Sequence, residues 1–570
     1  MQSHAILPPG HFLSLPPSYS QPNTEFSSGA PSTSAHTSDG LAPNVASLAG
    51  ADFDVDVRTG FLPATMNVER LPSAWETWEV ALDAARGDGT VGEASLRLGG
   101  GRDRDQLWRS GIETMPVLDT IGLRVSLPYL RRAHLVLTFL LHFYAHTSPS
   151  TSMSGATPLP IPQSISIPLL NISPLLGLPP VVTYSDTVLY NFLPANPSSE
   201  LMLPSNPPTK CLASFTNTRS EEQFYIISAL CEIAGAEALR LMRQSLDELF
   251  LGDAIAIKRL TVYLRKLAAQ IDRIGDITLS MIREVDPEDF YHLIRPWFRG
   301  GDADGPQSAG WAFLGYENDA AEWAAENLSN SSYSSPSGTS TRGRLFSGPS
   351  AGQSSLIHAI DIFLTVDHTH EDDASSSPSS GGSPAQLPSL GATSVQTPPS
   401  PSRSEPETLS IVLDATPIST TGSQPPARPN EATFVQRMLQ YMPIQHRTFL
   451  LHLSTHPSPL RALVLDHAST HPRLAEAYDG ALEALKRFRE KHMRIVSIFI
   501  IQQARRRPSE RVRKLLGLVE DEEEDKAGHV DIAELRGTGG SPLFKFLKRC
   551  RDNTTRVMVR KAAGPSFELA

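Results

Sequence analysis

The longest regular run of apolar and polar positions extends from Leu474 to Gln503. Leu474, Tyr478, Ala481, Leu485, Phe488, His492, Ile495 and Phe499 recur at steps of four and three, the spacing of one face of an amphipathic helix. Asp479, Glu483, Lys486 and Glu490 repeat that spacing on what the pattern makes the wet side. Thr470, His471 and Pro472 suit a helix start, and Arg505 to Arg507 followed by Pro508 suit a stop.

Helical patterning also predicts elements over 74–86, 129–144, 221–249, 254–282, 287–298, 354–366, 435–442, 447–453 and 542–550. Ser164 to Leu170 alternates loosely and is the one moderate strand candidate. Gly177-Leu178-Pro179-Pro180 breaks the chain before an apolar stretch from Val181 to Phe192. Residues 1–51 are rich in Ser, Pro, Gly and Thr and predict a disordered arm. Two insertions of similar character fall near 327–344 and 371–430. The second holds 11 prolines, 14 serines and no aromatic residue in 60 positions, so it cannot build a core.

Composition narrows the function. The 47 prolines among 570 residues fit such non-globular segments. Lys+Arg 50 against Asp+Glu 61 gives a net charge of −11, which offers no electrostatic case for nucleic-acid or membrane binding. The basic cluster from Arg505 to Lys514 and the acidic run from Glu520 to Asp525 read as solvated loop charge. Cys211, Cys231 and Cys550 lie far apart, which excludes a disulfide framework or a zinc cluster and fits a reducing compartment. Met1 to Ser20 lacks the pattern of a secretory signal. Ala133 to Ala145, broken by His134 and His142, is too short to span a bilayer. His368-Thr369-His370-Glu371-Asp372-Asp373 looks like a metal cluster but leads into the 371–430 insertion, and reads as adventitious charge. No phosphate loop, nucleophile elbow or dinucleotide fingerprint is present. The chemical oddity is His492, an imidazole in a row of hydrocarbon. It is either a hydrogen-bonded core residue or a neutral ring offering a nitrogen to a metal or a haem iron.

Three longer motifs bear on that choice. They are Pro349-Ser350-Ala351-Gly352-Gln353-Ser354-Ser355 followed by Asp361, then Tyr441-Met442-Pro443-Ile444-Gln445-His446-Arg447, then Arg489-Glu490-Lys491-His492 with Ile495-Val496. A turn, Gly537-Thr538-Gly539-Gly540-Ser541, follows. In sequence and order these segments resemble the signatures of the indoleamine 2,3-dioxygenase family, over roughly 55–365 and 430–555. The resemblance implies an all-α fold, with a large helical domain over 217–565 holding haem b. A smaller, mostly helical domain over 52–216 would cap it. It implies a haem-dependent dioxygenase that converts L-tryptophan and O₂ to N-formyl-L-kynurenine, the first step of the kynurenine pathway and of NAD biosynthesis by that route. The expected protein is a cytoplasmic monomer that binds neither nucleic acid nor membrane.

The same resemblance assigns residues. His492 becomes the proximal ligand of the haem iron, Asp361 a member of the network that orients it, and Arg489 the partner of a haem propionate. Phe290 would pack on the indole and Arg295 clamp the carboxylate, a task suited to a guanidinium fork. Phe224 and Ser228 match the distal pocket, Tyr184 and Val188 its wall, and Ser350, Ala351 and Gly352 the distal loop. Thr538 matches a mobile lid. Spacing agrees in part, since Tyr291 and Arg295 are one turn apart, as are Phe224 and Ser228. Pro296 disfavours helical backbone at Arg295, so a helix end is expected there. Pro349 departs from the family pattern, in which a second glycine is usual, because proline fixes φ and removes an N–H. That departure opens a second reading, a weakly active or inactive haem-binding paralogue acting as a binding or signalling module.

Overall fold

Pro472 sits in the first turn of a helix spanning Pro472–Val496, where its missing N–H costs nothing. In this computed structural model the described residues are 52–87, 95–148, 157–196, 206–303, 308–315, 343–368, 434–456, 459–518 and 543–559. The expected stripe faces inward, with Leu474, Tyr478, Ala481 and Leu485 wholly buried. Against it runs the Ala254–Leu279 helix, which in turn packs on the Arg219–Leu251 helix. Gly252 (φ +64°) and Asp253, whose carboxylate accepts from the N–H groups of Ile255 and Ala256, make the tight turn joining those two helices. Ile257, Leu260, Leu264, Leu267, Ile271 and Ile274 fill the seam at threes and fours. The Leu543–Arg556 helix closes the far side of the Pro472–Val496 helix.

Two features of the leading helix differ from its pattern. Asp479 is not on a wet face: it is 9% exposed and accepts from the backbone N–H of Val559 at 2.8 Å. That partner is 80 residues away, where local periodicity is blind. Nor does the α-helix continue to Arg505. It gives way at Ser497–Ile501 to a π turn and then to a 3₁₀ turn over Gln503–Arg505. The basic cluster beyond is not free loop either, since Glu510–Leu516 is helical and Arg511 lies 2.5 Å from Asp289.

Towards the N-terminus, helices over Glu76–Arg86, Asp103–Thr114, Leu127–His146 and Gln163–Leu176 pack together. The last of these overturns the strand expected at Ser164 to Leu170. Ile165, Leu169, Ile172 and Leu176 are buried at steps of four, three and four, a helical face pressed on the Leu127–His146 helix. Tertiary burial there outweighs the helix penalty of Pro168 and Pro174. Gly177 (φ +65°) then ends the helix, as the breaker predicts.

The fold is all-α. Among the described residues strand pairing is confined to Leu159–Ile161 beside Trp311–Phe313 in parallel, and Leu193–Pro194 beside Pro208–Lys210 antiparallel, with isolated bridges elsewhere. No described helix is long and apolar enough to cross a membrane. The described residues belong to one compact unit formed by the chain before 371 and after 431. The expected arm at 1–51, the 371–430 insertion, most of the 327–344 insertion and the glycine-rich turn bearing Thr538 lie outside the described residues.

Candidate active site

A cavity of about 280 Å³ opens between these helices. Its lining gathers Tyr184, Val188, Phe224, Ser228, Phe290, Arg295, Ser350, Ala351, Gly352, Asp361, Arg489 and His492 from six separate stretches of chain. Every candidate from the sequence that falls on described residues is therefore brought to one place. Three π turns border the cavity, at Ser185–Leu189, Asp289–Ile294 and Ser497–Ile501, and supply Thr187, Val188, Phe290, Phe499 and Ile500 to its wall. Such turns bulge the helix and re-aim neighbouring side chains. At Arg295 the backbone stays right-handed helical (φ −54°, ψ −36°), and the π turn tightens into a 3₁₀ turn, Arg295–Phe298, instead of ending before the proline.

His492 is half-buried on the cavity wall and hydrogen-bonds to no described residue. Burial pushes its pKa down to about 4, so at neutral pH the ring is uncharged with a lone pair to offer. Aromatic rings form an apolar part of the wall, with Phe224 and Phe290 centred 5.0 Å apart and Phe290 and Phe499 5.7 Å apart. Arg295 also lines the cavity, its guanidinium carbon 5.5 Å from the centre of the Tyr291 ring. Burial lowers its pKa, yet a guanidinium keeps its charge in proteins. Ser228 donates its hydroxyl proton to the Phe224 carbonyl at 2.9 Å, which leaves its oxygen free to accept.

A hydrogen-bonded network absent from the sequence reading holds the distal loop. Glu232, 2% exposed, accepts from the Tyr184 hydroxyl at 2.8 Å and the Ser354 hydroxyl at 2.7 Å through one oxygen, while its other oxygen has no donor. Burial raises its pKa to about 7 against the lowering effect of those hydroxyls. Gln353 accepts from the Tyr184 N–H and donates to the Gly348 carbonyl, at 2.8 and 2.9 Å. At Gly348 a Cβ would stand 1.7 Å from the Phe298 carbonyl oxygen, so the loop's approach requires glycine there. Pro349, Ser350, Ala351 and Gly352 follow along the cavity, with the Ser350 hydroxyl accepting from the Gly352 N–H at 3.2 Å. Glu232 lies eight residues beyond Phe224 on the same helix, and a buried acid at that offset was the available signal.

Elsewhere on the lining Asp361 bonds Arg489 (2.5 Å) and His368 (3.2 Å), and not His492. Arg489 also donates to the Cys550 carbonyl at 2.9 Å and to the Thr554 hydroxyl. His368 was set aside with the charged run beside it, yet it lines the cavity as part of this cluster.

Residues 49–557 match the family model for indoleamine 2,3-dioxygenase. The chain is 29% identical over 470 residues to the indoleamine 2,3-dioxygenase of Saccharomyces cerevisiae, a match covering 79% of this chain and 83% of that one. It is 24% identical over 451 residues to indoleamine 2,3-dioxygenase 1 of Mus musculus, covering 79% and 85%. With the 6-hydroxytryptophan 2,3-dioxygenase fscD of Fusarium equiseti it shares 27% over 510 residues, covering 88% and 96%. The class is thus an all-helical dioxygenase. The chain belongs to the indoleamine 2,3-dioxygenase family, an enzyme family that depends on haem.

The cavity fits such a group on its own chemistry. An uncharged imidazole without a protein partner suits an axial iron ligand, apolar walls suit a macrocycle, and Arg489, three residues before His492 on one helix, suits a carboxylate at the macrocycle's edge.

Proposed function

We propose that the protein is a haem-dependent dioxygenase that inserts both atoms of O₂ across the C2–C3 bond of the L-tryptophan indole, yielding N-formyl-L-kynurenine and so opening the kynurenine route. The observation that carries this reading is the unbonded, uncharged His492 on the wall of a cavity that Arg295 and aromatic rings also line. Haem, when bound, supplies the iron at which O₂ is activated. The chain's residues do the rest. His492 holds the iron, and Arg489 faces a propionate.

Phe290 packs on the indole, Phe224 lines the distal pocket beside it, and Tyr184 and Val188 form the pocket wall. Arg295 pairs with the substrate carboxylate, and a two-point clamp of that kind orients the indole for reaction. The Ser228 oxygen, its proton committed to the Phe224 carbonyl, is placed to accept a hydrogen bond from substrate. Thr538 is assigned to the lid over the substrate ammonium. We place the activity in a cytoplasmic monomer, with 52–216 capping a haem domain over 217–565.

A ring-substituted tryptophan is the alternative substrate within this reading. One relative is named for 6-hydroxytryptophan, and Thr187, whose hydroxyl donates to the Thr183 carbonyl at 3.1 Å, is part of the pocket wall here. Pro349 on the cavity wall favours the other reading, weak turnover. The test is steady-state turnover by the reduced, haem-loaded protein with L-tryptophan, D-tryptophan and 6-hydroxy-L-tryptophan, product identified by mass. An N-formylkynurenine from L-tryptophan supports the main reading. Stoichiometric haem without turnover of any indole supports the weakly active paralogue.

A further inference from the structure

The Asp361–Arg489–His368 cluster sets two basic side chains on one carboxylate. Asp361 is its one acid among the described residues, and the ion pair with Arg489 keeps it ionised by holding its pKa below the usual value despite burial. An ionised carboxylate only accepts, so the His368 Nε2 at 3.2 Å carries a proton. That same nitrogen stands 3.3 Å from the Arg489 Nη2, one donor beside another. On its other side the His368 Nδ1 faces the Asn553 amide nitrogen at 3.3 Å. The Asn553 oxygen is turned to Arg556, also at 3.3 Å, which fixes the amide's orientation.

Burial depresses the His368 pKa, but hydrogen bonds to the Asp361 carboxylate and to the Cys550 side chain, with the Asp361 charge, outweigh it and hold the ring at about 9, so the ring is cationic at neutral pH. Neighbouring His358 adds no charge, since burial lowers its pKa and its Nε2 is bonded to the Gly352 carbonyl at 2.8 Å. Two cations against one carboxylate leave a buried excess of one positive charge, an arrangement that is costly until an anion completes it.

We propose that His368 is a second basic contact for the haem propionates, beside Arg489, and that a carboxylate entering from the cavity completes the cluster. The proposal rests on the haem reading above. It locates the macrocycle's edge, since Arg489 lies about one helical turn from His492 and His368 touches Arg489. No motif marks His368, and its partner Arg489 is 121 residues away in sequence.

The test compares haem with haem dimethyl ester, which lacks free carboxylates. Apoprotein is loaded with each, and release to apomyoglobin is followed by absorbance for the wild type, His368→Gln and His368→Ala. Thermal melts of the apoproteins accompany the series. The expected result is faster release of the diacid from both variants, by ~10-fold for one lost charge-assisted hydrogen bond, with ester release unchanged. Tryptophan affinity of the loaded ferric protein should also stay unchanged. Diacid release at the wild-type rate would overturn the proposal, as would equal acceleration for diacid and ester, which marks a structural role. A loss of tryptophan affinity alone would assign the missing carboxylate to substrate and overturn it too. If the wild type takes up neither porphyrin, the haem reading fails with it. Normal uptake with indifferent His368 variants removes only the propionate contact.

Discussion

Two buried helices hold histidines on very different terms. In Leu127–His146, His134 lies 2.6 Å from Asp186, His142 lies 2.7 Å from the Trp297 carbonyl and His146 lies 2.9 Å from the Arg299 carbonyl. Each ring ties that helix to another part of the chain. In Pro472–Val496, His492 has the same chemistry and no described partner. His142 and His492 are both driven to a pKa of about 4 by burial. Their protonation states therefore do not separate them; what each ring is bonded to does. A neutral imidazole saturated by the protein serves folding, whereas one left open beside a cavity is available to a ligand.

Exchanging the two should give the largest contrast. His492→Ala is expected to abolish stoichiometric haem binding while changing apoprotein stability by about 1 kcal/mol or less. His142→Ala strips partners from the buried Trp297 carbonyl and Val182 N–H and leaves a void, at a cost of about 3 kcal/mol. Denaturant melts beside haem spectra measure both. A haem spectrum unchanged in His492→Ala removes the ligand assignment.

Arg295, another residue of the cavity lining, sharpens the same distinction. Arg295→Ala should lower kcat/KM by roughly one to two orders of magnitude, the worth of a hydrogen bond to a charged group. Haem content and the ferrous–CO spectrum should remain. Arg295→Lys should recover only part, because an ammonium cannot reproduce the planar fork. Parallel loss of haem and turnover would instead make Arg295 a folding residue.

Glu232 lies between the two kinds, with one oxygen bonded twice and the other without a donor. Its folded pKa, about 7, is above the ordinary 4.5, so the folded state keeps a proton that the unfolded chain has lost. The stability so contributed is full below pH 4.5 and is lost as pH rises through about 7. Between those limits the unfolding free energy should fall by roughly 1 kcal/mol per pH unit, and Glu232→Gln should flatten that component. Identical slopes in wild type and variant would mean that Glu232 is ionised in the fold throughout.

Much of the site was legible because its residues sit in local patterns. The 3.6 period exposed His492, and contiguous motifs carried Ser350 to Gly352, Asp361 and Arg489. What could not be read depends on separation in sequence. Glu232 gains its meaning from Ser354, 122 residues on, and from Tyr184, 48 residues back. His368 was obscured by the charged run next to it. The fold was misread where burial overrode local preference, as in the proline-bearing helix taken for a strand at Ser164 to Leu170. It was also misread where distant chain covered a polar side chain, as at Asp479.

Each π turn around the cavity contains one residue more than the α turn it replaces. Removing that residue lets the turn revert to an α turn, so the residues within it change aim while the chain on either side keeps roughly its phase. At Ser497–Ile501 the widened turn carries Phe499 and Ile500 in the cavity wall, beside Ile495 and Val496 from the α-helix before it. The pocket therefore has a mode of variation besides substitution. A single-codon deletion at any of the three turns re-phases one segment of its wall while the paired helices behind keep their register. Between relatives, a change of pocket shape would then be recorded as a gap in an alignment and not as a difference in residue type.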